Sequence, residues 1–234
     1  MPESEKAKRI KVGIQGLDEM LGNGLRPGSL CIILGEPLCG KEILAKEFFY
    51  KGIKRGEAGI YITTNNFAED VLNEMEEYGW RLSDYRDKVL YKIIDTYTQT
   101  VNPNVEDTDT ILYVPAATDL AGLSSKVVEA IAALSASFKT LRVVLDSLST
   151  IITFITPSAA VRFLSFLKGR VRLIKGLFVS LLESELTEKS IMVQILQLAD
   201  VIIEIRDHEI TVRQRGKPPK TGEFKITEEG VKIT

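Results

Sequence analysis

Gly35-Glu36-Pro37-Leu38-Cys39-Gly40-Lys41-Glu42 comes within one residue of the pattern G-x-x-x-x-G-K-[ST]. In that pattern backbone N–H groups curl around phosphate oxygens, a helix N-terminus adds the positive end of its dipole, and the lysine reaches the β- and γ-phosphates. An apolar run, Ser29 to Leu34, precedes it. Apolar residues at helical spacing follow it: Ile43, Leu44, Phe48 and Ile53. Strand, loop and helix are the context that gives the pattern its meaning. Gly35, Glu36, Pro37, Leu38, Cys39, Gly40, Lys41, Glu42 and Ile43 are therefore expected to hold ATP or ADP.

Glu42 departs from the pattern, because it stands where a Ser or Thr hydroxyl would ligate Mg²⁺. Two like charges ~4 Å apart repel by about 4 kcal/mol at an effective dielectric of 20. Lys41 and the helix dipole offset part of that, and so would a metal ion ligated by Glu42 itself. A second acidic element, Leu141-Arg142-Val143-Val144-Leu145-Asp146, is an apolar strand ending in Asp. That is the form of a Walker B element, whose Asp helps to hold Mg²⁺. Asp146 and Glu42 are thus the expected metal ligands. Cys39, next to Lys41 at a helix start, is expected to be a reactive thiol, whereas Cys31 in a core strand is expected to be inert.

The elements that must position these residues alternate. Strands are expected over 29–34, 59–63, 89–94, 142–145 and 177–182. Between them, helices are expected over 43–53, 68–78 and 124–138, and another beginning near Pro157. This alternation predicts a mostly parallel sheet flanked by helices. Residues 98–118 are polar and contain prolines, which reads as a loop or insertion. Residues 201–205 and 210–213 read as a hairpin turning at Asp207-His208, and 224–227 with 231–233 as a last antiparallel pair. One domain is expected over 1–234, with residues 1–11, including Lys6, Lys8, Arg9 and Lys11, as a flexible basic tail.

Composition narrows the function. With 44% hydrophobic and 26% charged residues the chain can bury a core. A net charge of −2 gives no general attraction to nucleic acid or an anionic membrane. The cluster Arg170, Arg172 and Lys175 reads as the outer face of a helix. Two cysteines and one histidine leave no Cys/His zinc site, and the absence of a cysteine framework fits a cytoplasmic location. His208 reads as a solvated turn residue and Trp80 as packing. No apolar run is long enough to span a membrane.

With both acidic and phosphate elements placed, the sequence resembles the KaiC-like branch of the RecA superfamily of P-loop ATPases over nearly its whole length. The resemblance rests on Val12-Gly13-Ile14-Gln15-Gly16-Leu17-Asp18 before the phosphate loop and on Tyr78-Gly79-Trp80-Arg81-Leu82. Further matches are Val144 to Ser149, Ala199 to Glu204, and Arg213-Gln214-Arg215-Gly216. It implies a RecA-like core, ATP with Mg²⁺ at subunit interfaces, and a homo-oligomeric ring, often a hexamer. It also implies that Arg213 and Arg215 reach the neighbour's phosphates. The family's two adjacent catalytic glutamates fall, by this resemblance, on Asn65 and Asn66. An amide cannot act as a general base near neutral pH. Asn66, three residues before Glu69, also reads as a helix N-cap.

The expected function is a nucleotide-binding pseudo-ATPase that regulates or scaffolds an unidentified protein partner. One alternative is an active KaiC-type ATPase that recruits Glu42 or Glu69 as base. Another is a RecA-like accessory in DNA repair, which the net charge and the lack of a basic and aromatic stripe disfavour.

Overall fold

The computed structural model describes residues 9–88, 90–185 and 188–234. In chain order the elements are α1 (Leu17–Met20), β1 (Leu30–Gly35), α2 (Lys41–Lys54), β2 (Ala58–Thr63) and α3 (Ala68–Glu77). A 3₁₀ stretch over Leu82–Lys88 leads to β3 (Tyr91–Asp95), α4 (Thr98–Val101), β4 (Ile111–Tyr113) and α5 (Leu120–Ser135). Then come β5 (Leu141–Asp146), α6 (Leu148–Phe154), α7 (Pro157–Leu173), β6 (Leu177–Glu183) and α8 (Lys189–Leu198). The chain closes with β7 (Val201–Arg206), β8 (Glu209–Gln214), β9 (Lys220–Thr227) and β10 (Gly230–Ile233).

These strands form one sheet in the order β10-β9-β8-β7-β1-β6-β5-β2-β3-β4. Pairing is parallel from β7 to β4 and antiparallel from β7 to β10. The architecture is a RecA-like α/β core with antiparallel strands added at its C-terminal end. β1 is buried along its length because both faces are covered. Its Cys31 and Ile33 face the layer of α2 and α3, with Phe48, Phe49, Val71 and Met75. Its Leu30, Ile32 and Leu34 face the layer of α5, α7 and α8, with Val127, Leu164 and Ile195. No helix among the described residues is long and apolar enough to cross a membrane.

Several expectations change. The stretch 98–118 is not a plain loop: it holds the short helix α4 and the edge strand β4, paired to β3 through Ile93 and Ile111. Three residues are too few for a strand's alternation to show in sequence. The third strand begins at Tyr91, and Val89 lies outside the described residues. α6, between the fourth strand and the Pro157 helix, carries its own cap, since Ser147 accepts from the Thr150 amide. Of the basic segment, residues 1–8 lie outside the described residues. Arg9 and Ile10 are not a free tail: Arg9 donates to the Leu21 and Gly24 carbonyls, and Ile10 bridges Leu25.

Arg142 is the largest fully buried side chain, and every arm of its guanidinium is used. It donates twice to Glu57, at 2.7 and 3.1 Å, and to the carbonyls of Lys11, Val12 and Phe48. It also lies over the Phe48 ring, 4.6 Å from the centroid. One side chain of β5 thereby joins the entry segment to the helix behind the phosphate loop. Trp80 is buried and stacks on Tyr78 and Tyr50. Asp207 and His208 both have positive φ, as a two-residue hairpin turn requires.

Candidate site at the phosphate loop

The carboxyl ends of the parallel strands converge on one rim, where ligands of open α/β sheets bind. β1 ends there at Gly35, β2 at Thr63, β5 at Asp146 and β6 at Glu183. From Gly35 the chain turns through residues 36–40 into α2. Gly35 has no room for a side chain, because a Cβ would sit 2.3 Å from the Cys39 sulfur. Gly40 has φ +91, and a Cβ there would meet Ile226 of β9 at 2.7 Å. The last long hairpin therefore rests directly on the phosphate loop. Leu38 adopts φ +63 with a side chain 96% exposed, a left-handed geometry that costs a leucine about 1–2 kcal/mol. A cleft of about 640 Å³ lies between residues 36–39 of the loop and residues 223–227 of β9, with Ile205, Asp207 and His208 on its wall.

Lys41 opens α2 and is 1% exposed. Its ammonium donates to the Glu36 carbonyl at 2.9 Å and meets Glu42 Oε1 at 2.6 Å. Glu183 Oε1 stands 3.9 Å away. Asp146 is also buried, and its Oδ2 accepts the Tyr61 hydroxyl at 2.6 Å. Burial pushes the Asp146 carboxyl above its ordinary range; nearby Lys46, the Tyr61 bond and Lys41 oppose that, and Glu42 adds to it. Tyr61 is raised well above the usual phenol, by burial first and then by Asp146, so its hydroxyl stays a donor. Lys46, one helical turn beyond Glu42, is buried and ion-paired with Glu74 of α3.

The two expected metal ligands therefore turn to different partners within the chain. Glu42 is held by Lys41 and Asp146 by Tyr61. Among the described residues no cluster of three or more His, Cys, Asp or Glu is arranged to hold a metal ion. The sequence reading missed Lys46, Tyr61, Glu74 and Glu183. Two signals pointed toward them: Glu42 and Lys46 are spaced i, i+4 on one helix face, and Glu183 ends an apolar strand much as Asp146 does.

Asn65 and Asn66 lie on the bend after β2, with Asn65 exposed. Asn66 does not cap α3. The N-cap is Phe67, without a side-chain cap, and the Ala68 amide instead donates to Asp95 Oδ2 at 2.7 Å. Asp95 also accepts from the Tyr97 and Thr98 amides, so it serves the starts of two helices. Thr64 ties this bend to the end of β5, taking the Ser147 amide at 2.8 Å and donating to the Ser147 carbonyl at 3.1 Å.

Cys39 departs from expectation. Burial lifts its thiol, outweighing the Lys41 amide bond and the Lys41 charge that favour the thiolate. The helix start is too enclosed for the electropositive effect to dominate. Cys31 is raised further, by burial and then by Asp200.

Arg213 is the next-to-last residue of β8, two strands from β1. It pairs in register with Ile202, and Ile202 with Ile32, three residues before Gly35. Its guanidinium meets Glu204 at 3.4 Å, and Arg215 donates to the Gln197 carbonyl at 3.5 Å. Arg170, Arg172 and Lys175 sit at the end of α7 and just beyond it, beside the exposed Leu173.

Comparison with known proteins gives the family and the fold. A family described as the ATPase KaiC matches residues 10–234. A UPF0273 protein of Pyrococcus horikoshii is 30% identical over 62% of this chain and 56% of its own. One from Saccharolobus solfataricus is 33% identical over 73% of this chain and 57% of its own. One from Thermotoga maritima is 30% identical over 70% of this chain and 64% of its own. The chain thus spans less than two thirds of the curated relatives it matches. The crystal structure of a KaiC-like protein from Pyrococcus horikoshii superposes with a TM-score of 0.74 at 20% identity, covering 97% of this chain and 99% of that one, which establishes a shared fold.

Proposed function

The chain belongs to the KaiC-like family of RecA-superfamily P-loop ATPases, and on that premise we propose that it is a nucleotide-binding module that has lost hydrolysis and acts as a regulator or scaffold for a protein partner. ATP or ADP sits on residues 35–43, with its phosphates against Lys41 and the first turn of α2. One observation carries this reading. The loop, its buried lysine and the helix N-terminus stand at the rim, while the bend that would supply the general base presents two amides, Asn65 and Asn66. General base catalysis contributes roughly 10²–10⁴-fold, so turnover without it is negligible.

Calorimetry with ATP, run beside phosphate release at several protein concentrations, tests the proposal. Binding without turnover is expected, and Lys41→Ala abolishes the binding. Robust hydrolysis that disappears with Lys41→Ala refutes it. The register that sets Arg213 two strands from β1, level with Ile32 rather than with the loop, supports a homo-oligomeric ring in which Arg213 and Arg215 face a neighbour's phosphates. Sedimentation with and without ATP tests that assembly, and a strict monomer in both conditions counts against it.

An active ATPase is the second reading, and the position of Glu183 favours it. This carboxylate stands 3.9 Å from the Lys41 ammonium, on the strand between β1 and β5. Glu42 is occupied by Lys41, and Glu69 lines a separate small cleft with Phe67 and Tyr113. If hydrolysis is found, its loss in Glu183→Gln with binding retained identifies the base.

A further inference from the structure

Resting on the reading that this chain scaffolds a protein partner, we propose that the outer face of α7 docks an acidic amphipathic helix of that partner. α7 buries one stripe against the core through Ala160, Phe163, Leu164, Leu167 and Val171. A second stripe, Arg162, Phe166, Gly169 and Leu173, keeps the same helical spacing and faces outward. Leu173 is 78% exposed and Phe166 37%. With Gly169, Arg170, Arg172 and Lys175 they line an open cleft of about 740 Å³, and no acidic residue borders it. Packing within the chain does not account for Gly169. A glycine inside a helix is less favourable than alanine, and a Cβ here would meet nothing within 4 Å. Its effect is a notch between Phe166 and Leu173, roughly 10 Å apart along the axis, where a second helix can approach closely. Lys175, just past α7, holds φ +55, the left-handed position that glycine or asparagine commonly fills at a helix end. The fold thus accepts strain to keep a cation at the end of the stripe.

Charge decides the occupant. Arg162, Arg170, Arg172 and Lys175 enter no ion pair among the described residues. Uncompensated cations around two apolar side chains are complementary to carboxylates around an apolar anchor. A second copy's α7 would set these cations against themselves. The acidic helix α3 of a second copy exposes only polar residues, Glu69, Asp70, Asn73, Glu74, Glu76 and Glu77, and so brings no anchor. A lipid surface takes a broad apolar face, whereas this face is notched and narrow, and the chain's net charge is −2.

The test is fluorescence anisotropy on the full chain with a labelled synthetic helix, matched to the 17 residues of α7, in which glutamates flank a stripe of alanine and leucine. Binding that weakens with added salt is expected, and none to the same peptide with lysine in place of glutamate. Gly169→Gln fills the notch with a helix-compatible side chain. Its urea midpoint is expected to equal or exceed that of wild type, while peptide affinity falls about tenfold or more. Arg170→Glu with Arg172→Glu is expected to cost about tenfold or more as well, and it tests the charge even if Gly169→Gln does not fold. A wild-type chain that ignores the acidic peptide overturns the inference, as does a folded Gly169→Gln that binds it equally. Vesicles of phosphatidylserine and phosphatidylcholine bound in preference to the peptide, or a wild-type oligomer that Gly169→Gln dissociates in sedimentation, also overturn it by naming another occupant. ATP binding without peptide binding refutes this inference alone. Peptide binding that persists in Lys41→Ala, or in a chain that proves not to bind ATP, supports it independently of the nucleotide.

Discussion

Neutralising Glu42 should tighten nucleotide binding. A phosphate at the Lys41 ammonium competes with the Glu42 carboxylate, which stands 2.6 Å from it. A unit-charge pair ~4 Å apart is worth about 4 kcal/mol at an effective dielectric of 20. Lys41 is 1% exposed, but Glu42 is 32% exposed, so water screens a substantial part of that attraction. About 1–3 kcal/mol remains to be lost when phosphate replaces the carboxylate, or roughly 5- to 150-fold in affinity. Glu42→Gln keeps the shape and removes the charge, and Glu42→Thr restores the hydroxyl of the family pattern. Both should lower the dissociation constant for ATP in EDTA by roughly 5- to 150-fold, and to similar extents, because charge is the cause. Calorimetry or displacement of a fluorescent nucleotide measures it. Glu42→Gln binding no more tightly than wild type would refute the idea that the lysine is held by its neighbour. Improvement in Glu42→Thr alone would point to a metal-binding hydroxyl instead.

Three further outcomes are expected. Arg142→Met leaves Glu57 and three carbonyls without their donor, and it should destabilise the fold by about 3–5 kcal/mol in urea unfolding; a loss under 1 kcal/mol would show that the guanidinium is not a structural pin. Leu38→Gly relieves a left-handed leucine at the cost of chain entropy, and it should raise the unfolding free energy by about 0.5–1 kcal/mol, while an equal loss would mean the leucine is held by contacts. Burial lifts the Glu47 carboxyl, against the Val231 amide and Lys51, so the native state binds this proton more tightly than the unfolded chain. Unfolding free energy should therefore fall as pH rises from the ordinary carboxylate range through the raised value, and Glu47→Gln should flatten that slope in a pH series of urea titrations.

The parallel core was legible in the sequence because its strands are unbroken apolar runs and its helices carry a long periodic face. The phosphate loop was legible because Gly35, Gly40 and Lys41 each meet a backbone or chemical demand that little else satisfies. β4 was not, since Ile111-Leu112-Tyr113 gains its strand character from pairing to β3. Nor was Asp95, whose capping of α3 joins residues far apart in the chain and displaced the local signal at Asn66. The charges around the loop were only half readable. Lys41 and Glu42 announce themselves by motif, whereas Lys46 meets Glu74, and Glu183 approaches Lys41, only once α2, α3 and β6 are docked. Cys39 shows the same limit, because its neighbours were visible and its enclosure was not.

The position of β1 also sets when the loop can come into being. Cys31 pairs with Val179 on one side and Val201 on the other, so both partners are made long after the loop itself. A growing chain that ends before β6 holds the phosphate motif on a strand with two bare edges and an apolar face on each side. Such a segment pairs readily with other strands, the hazard managed in finished proteins by covering every edge. Pairings so distant along the chain also slow folding, because the closure entropy is lost before the contacts are gained. The geometry of the loop is therefore among the last features this chain acquires, and it arrives only when β6 and β7 fall into place beside residues 30–35.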